Sequence, residues 1–157
     1  MEVMREVMAV ELKQVDPQPI AIVGLRGVRD LPAEMGRAFG AVYGSLARRG
    51  LAPSGPALTR HFGPPKDGVF DLDVGFPVAQ RVADDGDVYG DELPGGKVAS
   101  TWHVGAYDGL SDAWMRFHGD ISGRGLTMDR GDWKIYWSPP EETDPGKIRT
   151  ELIAPVG

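Results

Sequence analysis

Lys147 to Val156 reads KIRTELIAPV, and the fold turns on how that stretch is read. It alternates in character and is closed by Pro155. At period two, Ile148, Thr150, Leu152 and Ala154 share one face of a strand, while Arg149, Glu151 and Ile153 share the other. A lone carboxylate on the second face has two explanations. Either that face is wet, which is the ordinary case for an acid, or the acid belongs to a site.

A second copy favours the site. Gly68 to Val78 reads GVFDLDVGFPV, and aligning Pro77 with Pro155 sets Asp73 on Glu151 and Val74 on Leu152, an offset of 78 residues. The same offset links Gly27 to Gly105, Asp30 to Asp108 and Phe39 to Phe117. Arg49-Gly50-Leu51 matches Arg124-Gly125-Leu126 at an offset of 75, as does the run from His61 to Pro65 with the run from Tyr136 to Pro140. A three-residue gap in the helix region and a compensating insertion before the last strand reconcile the two offsets. The chain is therefore a tandem duplication, and two copies predict one pseudo-symmetric domain rather than a solenoid. The expected division is a first repeat over about 1–80, an acidic linker over about 81–96 and a second repeat over about 97–157, together forming a single domain over 1–157.

Bulk properties narrow the function. Hydrophobic content of 41% with 25% charge suits a chain with a sizeable buried core. The net charge of −6 argues against nucleic acid as a direct partner and mildly favours neutral or cationic small molecules. No apolar run is long enough to span a membrane, and acids interrupt the apolar N-terminal stretch, unlike a signal peptide. With no cysteine there is no disulfide or thiolate chemistry, which fits a cytoplasmic location. The sequence carries no signal of oligomeric state.

Taken in order, Val7–Val15 and Ile20–Leu25 read as strands, with Asp16-Pro17 between them. Asp30 suits a helix cap, and Met35, Phe39, Val42, Tyr43 and Leu46 form an apolar stripe that ends at Gly50. Ala57–Phe62 is a strand stopped by Pro64-Pro65, and Phe70–Val78 is another. In the second copy Lys97–Val104 is a strand. Asp108 is the expected cap of a helix striped by Leu110, Ala113, Trp114, Phe117 and Ile121, and Asp132–Ser138 precedes the last strand. Each half is strand, helix, strand, strand. The extra N-terminal strand is expected to pair with the first repeat, and the linker to supply its equivalent in the second. The fold class is α+β: an antiparallel sheet with helices on one face and an open ligand face on the other.

Several chemistries are excluded. From Asp85 the acidic linker lacks the glutamate that closes an EF-hand loop, since Gly96 stands there. His61, His103 and His118 have no ligand spacing, no G-x-S-x-G motif occurs, and no metal or cofactor is expected. The aromatics are more telling. Trp102, Tyr107, Trp133, Tyr136 and Trp137 gather around the strands expected beside Glu151. Alternation sets Trp133, Ile135 and Trp137 on one face and Lys134 and Tyr136 on the other. Turning the apolar triad to the helices leaves Tyr136 beside Glu151, and His61 beside Asp73 in the first half. Whether Tyr136 or Trp137, and whether Trp102 or His103, faces the acid stays open. Aromatics around a recessed acid suit a flat, lipophilic, often cationic ligand through stacking and cation–π attraction.

The duplicated unit, the turn Gly105-Ala106-Tyr107-Asp108-Gly109-Leu110, and Arg149-Thr150-Glu151 running to Pro155-Val156 together resemble the gyrase-inhibitor-like (GyrI-like) small-molecule-binding domain. This is the effector-binding domain of multidrug-sensing transcription regulators. The resemblance covers nearly the whole chain, although Ala106 stands where a proline is more usual. It implies a groove between the halves lined by aromatics, with Glu151 as the central acid and Tyr107 as the turn tyrosine. Glu151, Tyr136, Tyr107, Trp102, Asp73, His61 and Trp137 are the expected ligand-binding set. The chain begins almost at its first strand, so the expectation is a stand-alone binder that sequesters or senses lipophilic compounds. Some family members hydrolyse cyclopropane-bearing electrophiles. That alternative implies water activation by Glu151 and proton donation by Tyr107. A third implied role is protein interaction, such as inhibition of a topoisomerase.

Overall fold

The computed structural model describes residues 10–62, 66–128, 132–138 and 144–156. Its main elements are β1 (Glu11–Val15), β2 (Gln18–Val28), α1 (Leu31–Arg48), β3 (Leu58–His61), β4 (Phe70–Pro77), β5 (Val88–Leu93), β6 (Gly96–Val104), α2 (Leu110–Gly123), β7 (Asp132–Tyr136) and β8 (Arg149–Pro155). The fold is α+β, with antiparallel pairing within each of its units. Two compact units arise: Asp16–Gly95, and Met1–Val15 together with Gly96–Gly157. Among the described residues no helix is long and apolar enough to cross a membrane.

In the first unit, strands pair in the order β5-β2-β4-β3. Ala21, Val23, Leu25, Leu72 and Val74 turn to α1, which answers with Ala38, Val42 and Leu46. Each fully buried large aliphatic contributes roughly 1.5–3 kcal/mol. Asp30 caps the helix by accepting from the Ala33 N–H at 3.5 Å. The helix ends where Gly50 takes φ +68° and the Leu51 N–H returns to the Leu46 carbonyl at 2.8 Å.

In the second unit the order is β1-β6-β8-β7. Ala99, Leu152, Ala154 and Val156 pack on Leu110, Ala113, Phe117 and Ile121 of α2. The helix end repeats the first: Gly125 has φ +74° and the Leu126 N–H meets the Ile121 carbonyl at 3.2 Å.

The duplication is visible in the pairing itself. Gly24 opposes Asp73 as Trp102 opposes Glu151, and Arg60 opposes Asp73 as Ile135 opposes Glu151. Three expectations need correction. The N-terminal strand β1 pairs with β6 of the second unit, and β5 from the linker pairs with β2 of the first, so the edge strands are exchanged relative to expectation. The helices correspond at an offset of 75, not 78: Ala38, Val42 and Leu46 bury like Ala113, Phe117 and Ile121. Phe39 therefore matches Trp114, both partly buried, rather than Phe117. Finally, Asp108 makes no side-chain cap. It lies in a short 3-10 turn, Tyr107–Gly109, that takes the place of α1's first turn. The Pro64-Pro65 strand stop, Pro139-Pro140 and the start of the first expected strand, Val7–Ala9, lie outside the described residues.

Candidate functional site

Glu151 lies mid-strand in β8, on the face away from α2, because Leu152 and Ala154 fill the helix-facing core. It is only 3% exposed. A buried carboxylate needs hydrogen bonds, and three donors supply them. The Ser100 hydroxyl donates to Oε2 at 2.6 Å, the Lys13 ammonium donates to the same oxygen at 2.8 Å, and the Trp137 indole N–H donates to Oε1 at 3.0 Å. Trp102, directly across the ladder from Glu151, sets its ring 6.1 Å from that of Trp137. The Arg149 guanidinium sits 4.5 Å over the Trp102 ring. Two indoles thus flank one buried anion. The Trp102 face already carries a planar cation.

The register fixes which aromatics share this face. Ile135 opposes Glu151 and Trp133 opposes Ile153, so the triad Trp133, Ile135 and Trp137 lies with the acid, not with the helix. Tyr136 opposes Thr150 on the helix side, where its ring meets Tyr107 at 5.7 Å. The expectation that Tyr136 and Tyr107 reach Glu151 is thereby corrected. The sequence argument gave the helix the more apolar set, but the face of the acid is buried and apolar too: Trp133 is 3% and Ile153, opposite it, 6% exposed. His103 also lies on the helix side, with Nε2 2.9 Å from the Ala106 carbonyl and its ring under Gly109. Trp102 is the neighbour of the acid.

In the first unit, Asp73 likewise lies opposite the helix face and has no exposure. It does not present an open charge. Arg60 donates twice to Oδ2, at 3.0 and 2.8 Å, while Arg26 and the Tyr89 hydroxyl donate to Oδ1 at 3.0 and 3.1 Å. Arg60 also bridges to Asp91 at 2.8 Å. Burial works against the Arg60 charge, but hydrogen bonds to Asp91 and Asp73 outweigh it and push the guanidinium pKa up. Burial, then the Asp73 charge, pushes the Tyr89 phenol up. Asp73, expected in the ligand-binding set, is thus tied up within its own unit by Arg60, Arg26 and Tyr89. His61 is corrected too: it opposes Leu72 on the helix side, 2.8 Å from the Thr59 hydroxyl.

Sequence reasoning put Arg149 on the face of Glu151 but outside the ligand-binding set, and missed Lys13 and Ser100. Ser100 and Arg149 carried a signal, each standing two residues from a residue already placed, Trp102 and Glu151. Lys13 carried none, since its strand was assigned to the other repeat. No group of three or more His, Asp or Glu that could hold a metal occurs among the described residues.

The second unit thus sets one buried carboxylate beside two indoles. The family model for the GyrI-like small molecule binding domain matches residues 8–157, and the chain belongs to that family. Solved structures agree on the fold. An EcmrR–DNA complex matches with TM-score 0.83 at 15% identity, covering 99% of this chain and 60% of that one, so the chain spans 60% of EcmrR's length. SAV2435 bound to tetraphenylphosphonium matches with TM-score 0.66 at 15% identity, covering 95% and 94%. A hydrolase encoded by lin2189 from Listeria innocua matches with TM-score 0.65 at 17% identity, covering 96% and 92%. No curated protein matches.

Proposed function

We propose that this protein binds lipophilic aromatic small molecules, cationic ones among them, on the Trp102–Trp137 ledge beside Glu151. The observation that carries this reading is the buried carboxylate flanked by two indoles, one of them already stacked by a guanidinium. Stacking supplies contact area, and the carboxylate supplies charge complementarity. The family's small-molecule role and the tetraphenylphosphonium held by SAV2435 point the same way. Titration with tetraphenylphosphonium, followed by tryptophan fluorescence and calorimetry, tests it. Glu151→Gln keeps the shape and removes the charge, so it should weaken this cation by about 1–3 kcal/mol and a neutral aromatic much less. Absence of binding to the wild type at millimolar ligand would sink the reading.

Hydrolysis of cyclopropanoid electrophiles is the second reading, favoured by the hydrolase among the similar structures. It needs a proton donor beside Glu151. Tyr107 packs instead on Tyr136, and Ser100 is the hydroxyl in contact with the acid. Incubation with such an electrophile, looking for its hydrated product, separates a hydrolase from a binder.

A further inference from the structure

We infer that Lys13 is the residue that sets the charge preference of this site, acting as a built-in cation with which a cationic ligand must compete for Glu151. The inference rests on the binding reading above. Its basis is an asymmetry within one ion pair. Lys13 Nζ lies 2.8 Å from Glu151 Oε2, yet the lysine side chain is 39% exposed and the glutamate side chain 4%. The lysine stands on edge strand β1, opposite Val98. A long side chain so placed can swing its ammonium into water at small cost. The carboxylate cannot follow, and a buried anion stripped of its cation is expensive. One positive group therefore has to stand at Oε2, and lysine and ligand exclude each other there.

Two consequences define the ligand class. A hydrophobic monocation gains Glu151 only by releasing Lys13, so its net electrostatic gain is a difference between two ion pairs. A neutral aromatic molecule can stack on Trp102 and Trp137 with Lys13 in place. The first unit makes the same point in reverse. The position corresponding to Lys13 is Asp91, opposite Ile20, and there the edge strand carries an acid that binds Arg60. The charge at this edge position follows the charge that needs balancing on the face.

The experiment compares wild type, Lys13→Gln and Lys13→Met in binding tetraphenylphosphonium and the neutral triphenylphosphine oxide. Lys13→Gln can keep an N–H donor for Glu151 without the charge, which protects the fold if Lys13→Met proves unstable. Removing the competitor should tighten the cation about tenfold, the scale of one charged contact, and should move the neutral ligand by less than about twofold. Both ligands binding the wild type with an unchanged or lower cation preference in Lys13→Gln would overturn the inference while leaving the binding reading intact. No binding of either ligand to any form would overturn both.

Discussion

Asp73 and Glu151 occupy the same register position in two copies of one unit, yet their surroundings are opposite. Around Asp73 the position across β2 is Gly24, and the space near it is taken by Arg26 and Tyr89. The position across β3 is Arg60. Around Glu151 the same two positions are Trp102 and Ile135. One copy surrounds its acid with guanidinium groups. The other surrounds it with aromatic and apolar surface, one hydroxyl, one indole N–H and a half-exposed lysine. Duplication supplied two buried carboxylates, and divergence closed one with arginines while leaving the other on an aromatic ledge.

The largest expected effect follows from that contrast. Asp73→Ala takes the bidentate partner from Arg60, whose side chain is 12% exposed and which keeps Asp91, and removes the common acceptor of four donor groups. Removing one partner of a buried ion pair costs about 3–5 kcal/mol. Glu151→Gln leaves behind a lysine that can return to water, so it should cost about 1–2 kcal/mol. Urea unfolding of both variants checks the ranking. Equal costs would mean that Glu151 is as closed a structural acid as Asp73, and would remove the reason to treat only one of them as a ligand group.

Much of this contrast could be read from the sequence, and the unread part has a physical cause. The period of two in KIRTELIAPV turned Leu152 and Ala154 to the core and Glu151 away from it. The repeat placed Asp73 in the matching position. The exchange of β1 and β5 was invisible, because a strand's own pattern does not name its partner. With it went Lys13 and Asp91, the two edge charges. The face of Trp137 stayed open because the sheet buries apolar groups on the acid's side as well, Trp133 and Ile153 among them, so an apolar triad on β7 did not by itself point to the helix. The arginines of Asp73 were missed for a related reason. Arg60 meets Asp73 only through the antiparallel register of β3 and β4, which local periodicity does not contain.

A second divergence gives the next prediction. Asp132, at the start of β7, is buried, whereas Ala57 holds the matching place before β3. Burial pushes the Asp132 carboxyl up to about 7, against a smaller lowering by Lys134. His118 Nε2 is 3.5 Å away, and burial pushes its pKa down. The native state thus holds a carboxyl proton that the unfolded chain releases near pH 4. Stability from this group is present below that pH and is lost as pH rises toward about 7, with a slope approaching about 1.4 kcal/mol per pH unit. His118 contributes the opposite sign, stability gained as pH rises toward its unfolded value. Asp132→Asn should remove the falling component, seen as a flatter stability profile between about pH 4.5 and about pH 6.5. An identical profile in the variant would show that Asp132 is ionised in the native protein despite its burial.

The smallest effect concerns the cations that sit on the two ledges. Phe62 and Trp137 hold matching positions, and Phe62 is covered by Arg26 at 5.2 Å and Arg60 at 5.5 Å. Both of these arginines are anchored to Asp73. On the other ledge Arg149 covers Trp102 from an exposed position on β8. An exposed cation–π contact is worth about 0.5–1 kcal/mol, so Arg149→Gln should lower stability by no more than that. Arg26→Gln should cost more, because it also removes donors to the Leu72 carbonyl and to Asp73. Ligand binding should separate them further. Uncovering Trp102 gives a hydrophobic cation a bare indole face and should strengthen it by up to about 1 kcal/mol, while Arg26→Gln leaves its affinity unchanged. Weaker cation binding in Arg149→Gln would mean that the guanidinium holds Trp102 in its working position and is part of the ledge. The ligand would then stack on Trp137, and the two indoles would have different roles.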